Sequence, residues 1–427
     1  MKKDRYDNPI STTSDAARDL YITGVDRLLE AGAGVVPLFE AAIEADPGFA
    51  LGHAGLARAF HTGGNLSGAK AAITTAQSLA RDLDTRQRGH IHAFDLLIHG
   101  KGPQAYAAIR AHVDAFPRDA LVAQTCSSIF GLIGFSGQPG REAEMLAFNA
   151  ALLPHYGDDW WCLSQYAFAL CETGNPDKAA TVIDRSLAMN ANNANGAHIR
   201  SHVYYEAGQT ELGIAYLENW LTGYDRTAIL HGHLAWHVAL WALGQGDTDR
   251  MWQRIDADVK PGAAQGLPIN VLTDTASIFC RAELAGVPVP PERWAGISAY
   301  ATQFFPDTSL AFVDFHAAIA HAMAGDGAAL NKIIETPKGP AADMVRDVAS
   351  AYRAMAQQNW GEATQLFTRA MGDHARLGGS RAQRDLLEFS LLSVLLKQGH
   401  DAEASRLLSL RRPTVASTGA VHGLSAH

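Results

Sequence analysis

Apolar residues recur along almost the whole chain at i, i+3, i+4 and i+7 on an alanine-rich background. No stretch alternates β-branched and polar residues convincingly. This pattern predicts amphipathic helices and no substantial sheet. Phe49-Ala-Leu-Gly-His-Ala-Gly-Leu-Ala-Arg-Ala-Phe60 is typical, with small residues where two helices would pack closely. Short marks punctuate the helical runs, among them His61-Thr-Gly-Gly-Asn65, Thr173-Gly-Asn-Pro176, Gly244-Gln-Gly246, Ala324-Gly-Asp326 and Gln358-Asn359. Their anchors fall at 64, 100, 137, 174, 208, 246, 286, 325, 359 and 399, with gaps of 34 to 40 residues. Glycine ends a helix readily in the left-handed conformation, so each mark predicts the bend of a helical hairpin.

A period of this length, built from helix, tight turn and helix, is the signature of a tetratricopeptide-type array. The expected fold is therefore all-α, a tetratricopeptide-like α-solenoid of about ten helical hairpins. Its expected extent is 15–411, after an N-terminal extension over 1–14 and before a flexible tail over 412–427.

The period gives meaning to two histidine pairs that stand 35 residues apart, His198 with His202 and His233 with His237. Spacing of i, i+4 puts both imidazoles of a pair on one helical face. An offset of one period then places the pairs at equivalent positions on neighbouring first helices, which line the concave face of such an array. The same subtraction brings in Tyr166 (36 before His202), Asp274 (37 beyond His237), Asp314 (40 further) and His316. Glu206 lies one turn beyond His202, and Trp236 adjoins His237. Imidazoles, carboxylates and aromatic rings together suit a small-molecule pocket. His202 and His237, with Glu206 and Asp274 setting their protonation, are the candidate catalytic acid–base groups, and Glu206 counts among the catalytic residues. His198, His233, Trp236, Tyr166, Asp274, Asp314 and His316 are the candidate ligand-binding residues.

The lesser alternative is a cofactor, haem or a divalent metal, held by His198, His202, His233 and His237. His198-Ile-Arg-Ser-His202 lacks the glutamate that zinc hydrolases carry after the first histidine. Histidines satisfied by neighbours in a core are the structural alternative. A scaffold binding a peptide in the groove is the second reading, ahead of the cofactor, but such grooves are commonly lined by Lys, Arg and Asn rather than by these residues.

Composition narrows the field. Of 427 residues, 47% are hydrophobic and 19% charged, as in an ordinary folded protein. The net charge of −9 argues against nucleic acid or an anionic membrane as partner. Four cysteines, none in a C-x-x-C pair, give no disulfide framework. The N-terminus has no apolar core of a leader, and no apolar run is long enough to span a bilayer. The expected protein is cytoplasmic, with a small-molecule partner and its oligomeric state, a homo-oligomer included, left open.

Arg376-Leu-Gly-Gly-Ser-Arg-Ala-Gln-Arg-Asp385 stands out as either an anion-binding helix start or a capped helix whose Arg384 and Asp385 form structural ion pairs. With Tyr166-Ala-Phe-Ala-Leu-Cys-Glu172, Ala197-His-Ile-Arg-Ser-His-Val-Tyr-Tyr-Glu206, His233-Leu-Ala-Trp-His237 and Phe312-Val-Asp-Phe-His316, it resembles the tetratricopeptide repeat protein 38 family, here as a bacterial member. The resemblance runs from about residue 10 to 410. It implies the helical repeat fold and a shared His198, His202, Glu206, His233, Trp236 and His237 feature. It implies no activity.

Overall fold

The computed structural model describes residues 2–411 and 420–424. The described residues carry twenty-two α-helices in eleven consecutive pairs. The first five pairs are α1 (Asp15–Leu29) with α2 (Val35–Ala45), α3 (Ala50–Thr62) with α4 (Leu66–Ser78), α5 (Thr85–Ile98) with α6 (Gly102–Ala115), α7 (Ala120–Ser127) with α8 (Arg141–Tyr156), and α9 (Trp160–Glu172) with α10 (Pro176–Met189). Then come α11 (Ala194–Glu206) with α12 (Thr210–Leu221), α13 (His231–Gly244) with α14 (Thr248–Arg254), and α15 (Pro268–Leu284) with α16 (Pro291–Phe304). The last are α17 (Ala311–Ala324) with α18 (Gly327–Glu335), α19 (Ala342–Ala356) with α20 (Trp360–Met371), and α21 (Arg381–Lys397) with α22 (Asp401–Arg411). This is an all-α, tetratricopeptide-like helical repeat.

The bends follow the local chemistry. Nine of the ten marks hold a glycine at positive φ, and at the tenth Gln358 takes φ 58°. The pair α1/α2 turns instead through Ala31 and Gly34, a bend the spacing did not flag. Asn65, Asp247, Asp326 and Asn359 follow directly after such bends, and each caps the next helix by accepting a backbone N–H. The four cysteines are all buried, and no described helix is long and apolar enough to cross a membrane.

The described residues form two compact units. The first comprises Met1–Ile133, Met145–Ala169 and Thr181–Ala197. It contains the only strands among the described residues, Lys2–Lys3 paired with Pro9–Ile10. Arg5, in the loop between them, pairs with Asp26 and Asp159. Its polar core is Asp119, which accepts from Arg86 Nη1 (2.7 Å), His90 Nδ1 (3.0 Å) and His112 Nε2 (3.0 Å). Burial alone would push that carboxyl up. The surrounding imidazoles and guanidinium overcome it and hold Asp119 well below the usual carboxylate range.

The second unit comprises Gly134–Glu144, Leu170–Ala180 and His198–His427. Its first helices are buried nearly all round: α13 over 233–243, α17 over 311–322 and α21 over 382–395. Contacts here reach beyond neighbouring hairpins, since α15 packs on α21 and Tyr205 of α11 donates to Asp385 of α21 at 2.9 Å. Within the expected tail, 412–419 and 425–427 lie outside the described residues. In the described piece Val421 and Leu424 are buried, and the His422 N–H donates to the Leu284 carbonyl at 2.7 Å.

The Gly-Gly-Ser stretch is a helix cap. Ser380 accepts from the Gln383 N–H, and the Gln383 side chain accepts from the Ser380 N–H. The helix start is occupied by the Glu172 carboxylate, which accepts the Arg381 N–H at 2.8 Å. Arg384 pairs with Glu142. Gly379 is required twice over. Its φ is 70°, and a Cβ there would sit 2.3 Å from the Phe312 ring.

Candidate functional site

The sequence of α11 and α13 places four imidazoles on two facing helix surfaces, and the structure brings them into one cluster. His198, His202, His233 and His237 are each no more than 3% exposed, and one ligand atom from each lies within 4.8 Å of the others. His198 Nε2 stands 2.9 Å from His202 Nε2 and 3.0 Å from His233 Nε2. The His237 ring lies 4.8 to 5.3 Å from the other three.

Asp274, one period along on α15, approaches His233 Nδ1 with both carboxylate oxygens at 2.9 Å. That contact fixes the tautomer: His233 donates from Nδ1, so its Nε2 carries a lone pair directed at His198 Nε2. His198 Nε2 can bear only one proton, and donating it to His233 leaves no second one for His202 Nε2. Both ring nitrogens of His237 are buried without a hydrogen-bond partner among the described residues. Trp236 lies flat along His233, with centroids 5.4 Å apart at an interplanar angle of 9°, and meets His237 edge-on. A small hollow of about 10 Å³, lined by Gly232, His233, Asn270 and Asp274 among others, reaches the outer side of this pair.

Three of the rings, His198, His202 and His237, favour the neutral form. Burial, then the neighbouring imidazoles, pushes His198 and His237 well below the usual imidazole range. Burial with His233 brings His202 down to about 3. Neutral imidazole is the metal-binding form.

The other predicted residues go elsewhere. Glu206 faces Arg381 at 3.5 Å, beside Glu172, whose carboxyl is pushed up to about 7 by burial against the pull of Arg384. Asp314 accepts the Ser309 N–H at 3.3 Å, and burial raises it to about 6. His316 donates from Nδ1 to the Phe312 carbonyl at 2.7 Å, between the rings of Phe312 and Phe315. Tyr166 is half-buried on α9 and belongs to the first unit. One residue escaped the sequence reading. Arg281 lies seven positions after Asp274, on the same face of α15, and is 3% exposed. A lone arginine inside Ile278-Phe-Cys-Arg-Ala282 was the available signal.

No family model matches the chain. Among solved structures, the human IFIT1 dimer with m7Gppp-AAAA is 13% identical, with 96% of this chain and 88% of that one covered and a TM-score of 0.46. Yeast Tom70 is 14% identical over 92% and 82%, with a TM-score of 0.37. The P58(IPK) TPR domain is 17% identical over 92% and 98%, with a TM-score of 0.21. These values carry no argument about ligands, and the fold assignment rests on the helical hairpins themselves.

Proposed function

We propose that this protein binds one divalent transition-metal ion in the cage formed by His198, His202, His233 and His237. The observation that carries the reading is the convergence of four buried imidazoles whose ligand atoms lie within 4.8 Å of one another. A tetrahedral centre with metal–nitrogen bonds of about 2.0–2.1 Å sets its nitrogens roughly 3.3 Å apart, inside the range of 2.9 to 4.8 Å spanned here. A cation at their common point would also accept every lone pair at once, which protons cannot do here. The Asp274–His233 contact supplies the orienting carboxylate that metal-bound imidazoles usually have. An all-imidazole set suits zinc, nickel, copper or iron. Haem does not fit, because a macrocycle cannot enter between nitrogens 2.9–3.0 Å apart.

Four protein ligands close the coordination sphere, so the ion serves as a buried clasp joining α11 to α13 rather than as an open catalytic site. Glu206 has no part in it. The sequences that carry the resemblance to the tetratricopeptide repeat protein 38 family include all four imidazoles, so the proposal extends to chains sharing them.

The test is elemental analysis of the purified full chain, followed by loading the apoprotein with cobalt(II). The expected result is one metal per chain and the visible bands of tetrahedral cobalt, both lost in His237→Phe with the far-UV spectrum retained. Cobalt bands unchanged in that variant, or no stoichiometric uptake of zinc or cobalt, would overturn the proposal.

A further inference from the structure

A cleft of about 140 Å³ lies in the second unit, lined by Tyr205, Leu240, Trp241, Leu243, Arg281 and Phe389 among others. Sites for drug-sized molecules run to roughly 300–1,000 Å³, so the occupant here is small, one ring with a short polar end.

Arg281 decides the charge of that occupant. It donates from Nη2 to the Ala382 carbonyl, its guanidinium lies 5.3 Å over the Phe389 ring, and its Nε has no partner among the described residues. No carboxylate among the described residues comes within ion-pair distance of it. The two guanidiniums buried still more deeply, Arg141 and Arg384, both reach Glu142. A buried cation without a counter-ion is costly, and a cleft wall is where a ligand can supply one. Trp241 adds a second buried donor, its Nε1, without a hydrogen-bond partner among the described residues. The Tyr205 hydroxyl is committed to Asp385, so Tyr205 offers the cleft its ring. Leu240, Leu243 and Phe389 complete an apolar wall.

We propose that this cleft binds a small aryl carboxylate, with the carboxylate on Arg281 and the ring among Trp241, Leu240 and Phe389. A planar monoanion pairs with one guanidinium edge. A phosphate would call for a second cation, and no other lining residue among the described ones is basic. The charge argument uses no imidazole, so it stands independently of the metal cage, although Trp241 and His237 share α13 with rings 5.9 Å apart.

Calorimetric titration of the full chain with phenylacetate and with its neutral isostere phenylacetamide tests the proposal. Phenylacetate is expected to bind about tenfold or more tighter than the amide, as a charge-assisted hydrogen bond implies. Arg281→Met is expected to abolish that difference while binding of the amide is unchanged. Equal affinity for acid and amide in the unmodified protein overturns the proposal. So does the absence of saturable binding of phenylacetate, benzoate and indole-3-acetate up to about 10 mM, which corresponds to less than about 3 kcal/mol of binding. The acid–amide comparison needs no variant, so it decides the matter even if Arg281→Met does not fold.

Discussion

Asp274→Asn isolates the orienting role of a residue that touches no metal. In the protein both Asp274 oxygens lie 2.9 Å from His233 Nδ1, and His233 Nε2 lies 3.0 Å from His198 Nε2. Asparagine keeps the volume and one acceptor oxygen, so Nδ1–H retains a partner and the apoprotein should melt close to wild type. What it loses is the negative charge, and with it the grip on the tautomer. It also brings an amide N–H that can hold His233 in the opposite tautomer, with the proton on Nε2 where the metal must bind. Removing such a partner typically weakens metal binding roughly 10–100-fold, or about 1.4–2.7 kcal/mol. Asp274→Ala should do more, because an unsatisfied buried N–H costs a further 1–3 kcal/mol or so of folding stability. Competition titration against a chromophoric chelator gives the affinity, and thermal melts of the apoproteins give the stability. An Asp274→Asn affinity within about twofold of wild type refutes the reasoning. So does an apo melting point that falls as far as that of Asp274→Ala, which would make the residue structural.

Three further outcomes follow from the packing and the charges. In Gly213→Ala the new Cβ would meet the Trp241 ring at 2.6 Å. Overpacking of about 1–3 kcal/mol should outweigh the gain in helix propensity of about 1 kcal/mol, and a urea midpoint at or above wild type would contradict this. Asp119→Asn removes the charge and one of the two oxygens that three buried donors share, and should destabilise by about 3–5 kcal/mol at neutral pH. Because the native carboxyl is held below its unfolded value, that stability is present above about pH 4 and lost as pH falls further. A variant whose deficit is the same at pH 7 and pH 3 would be inconsistent with this. Burial lowers His316 to about 4, so the unfolded chain binds more protons below about pH 6.5 and acid destabilises the native state. Going from pH 7.5 to 5 should cost about 2 kcal/mol through this group. His316→Phe should remove that part of the slope, and identical pH profiles for the two proteins would rule it out.

Much of the fold was legible because its determinants are local. A helical stripe is read within four residues, and a bend within the single glycine that takes positive φ. The first bend escaped because Ala31, which carries no such signal, turns the chain there together with Gly34. The site was legible in part for the same reason. His198 with His202, and His233 with His237, are each set by one helix, and their mutual register by one period. The next period put Asp274 in the neighbourhood without saying which imidazole it meets.

The same arithmetic did not bring Asp314 and His316 to the cluster, nor did helix spacing bring Glu206, since sharing a register or a face does not decide which neighbour a side chain meets. Glu206 answers to Arg381, and Arg281 to a carbonyl 101 residues away, because α11 and α15 both approach α21. The sequence by itself therefore determined the helices, their bends, the repeat and the pairing of imidazoles, all consequences of backbone geometry over one turn or one hairpin. Only the tertiary structure decided which carboxylate orients His233 and which cation is left without one. Those choices depend on contacts between distant helices, where burial makes each unmet charge or proton costly.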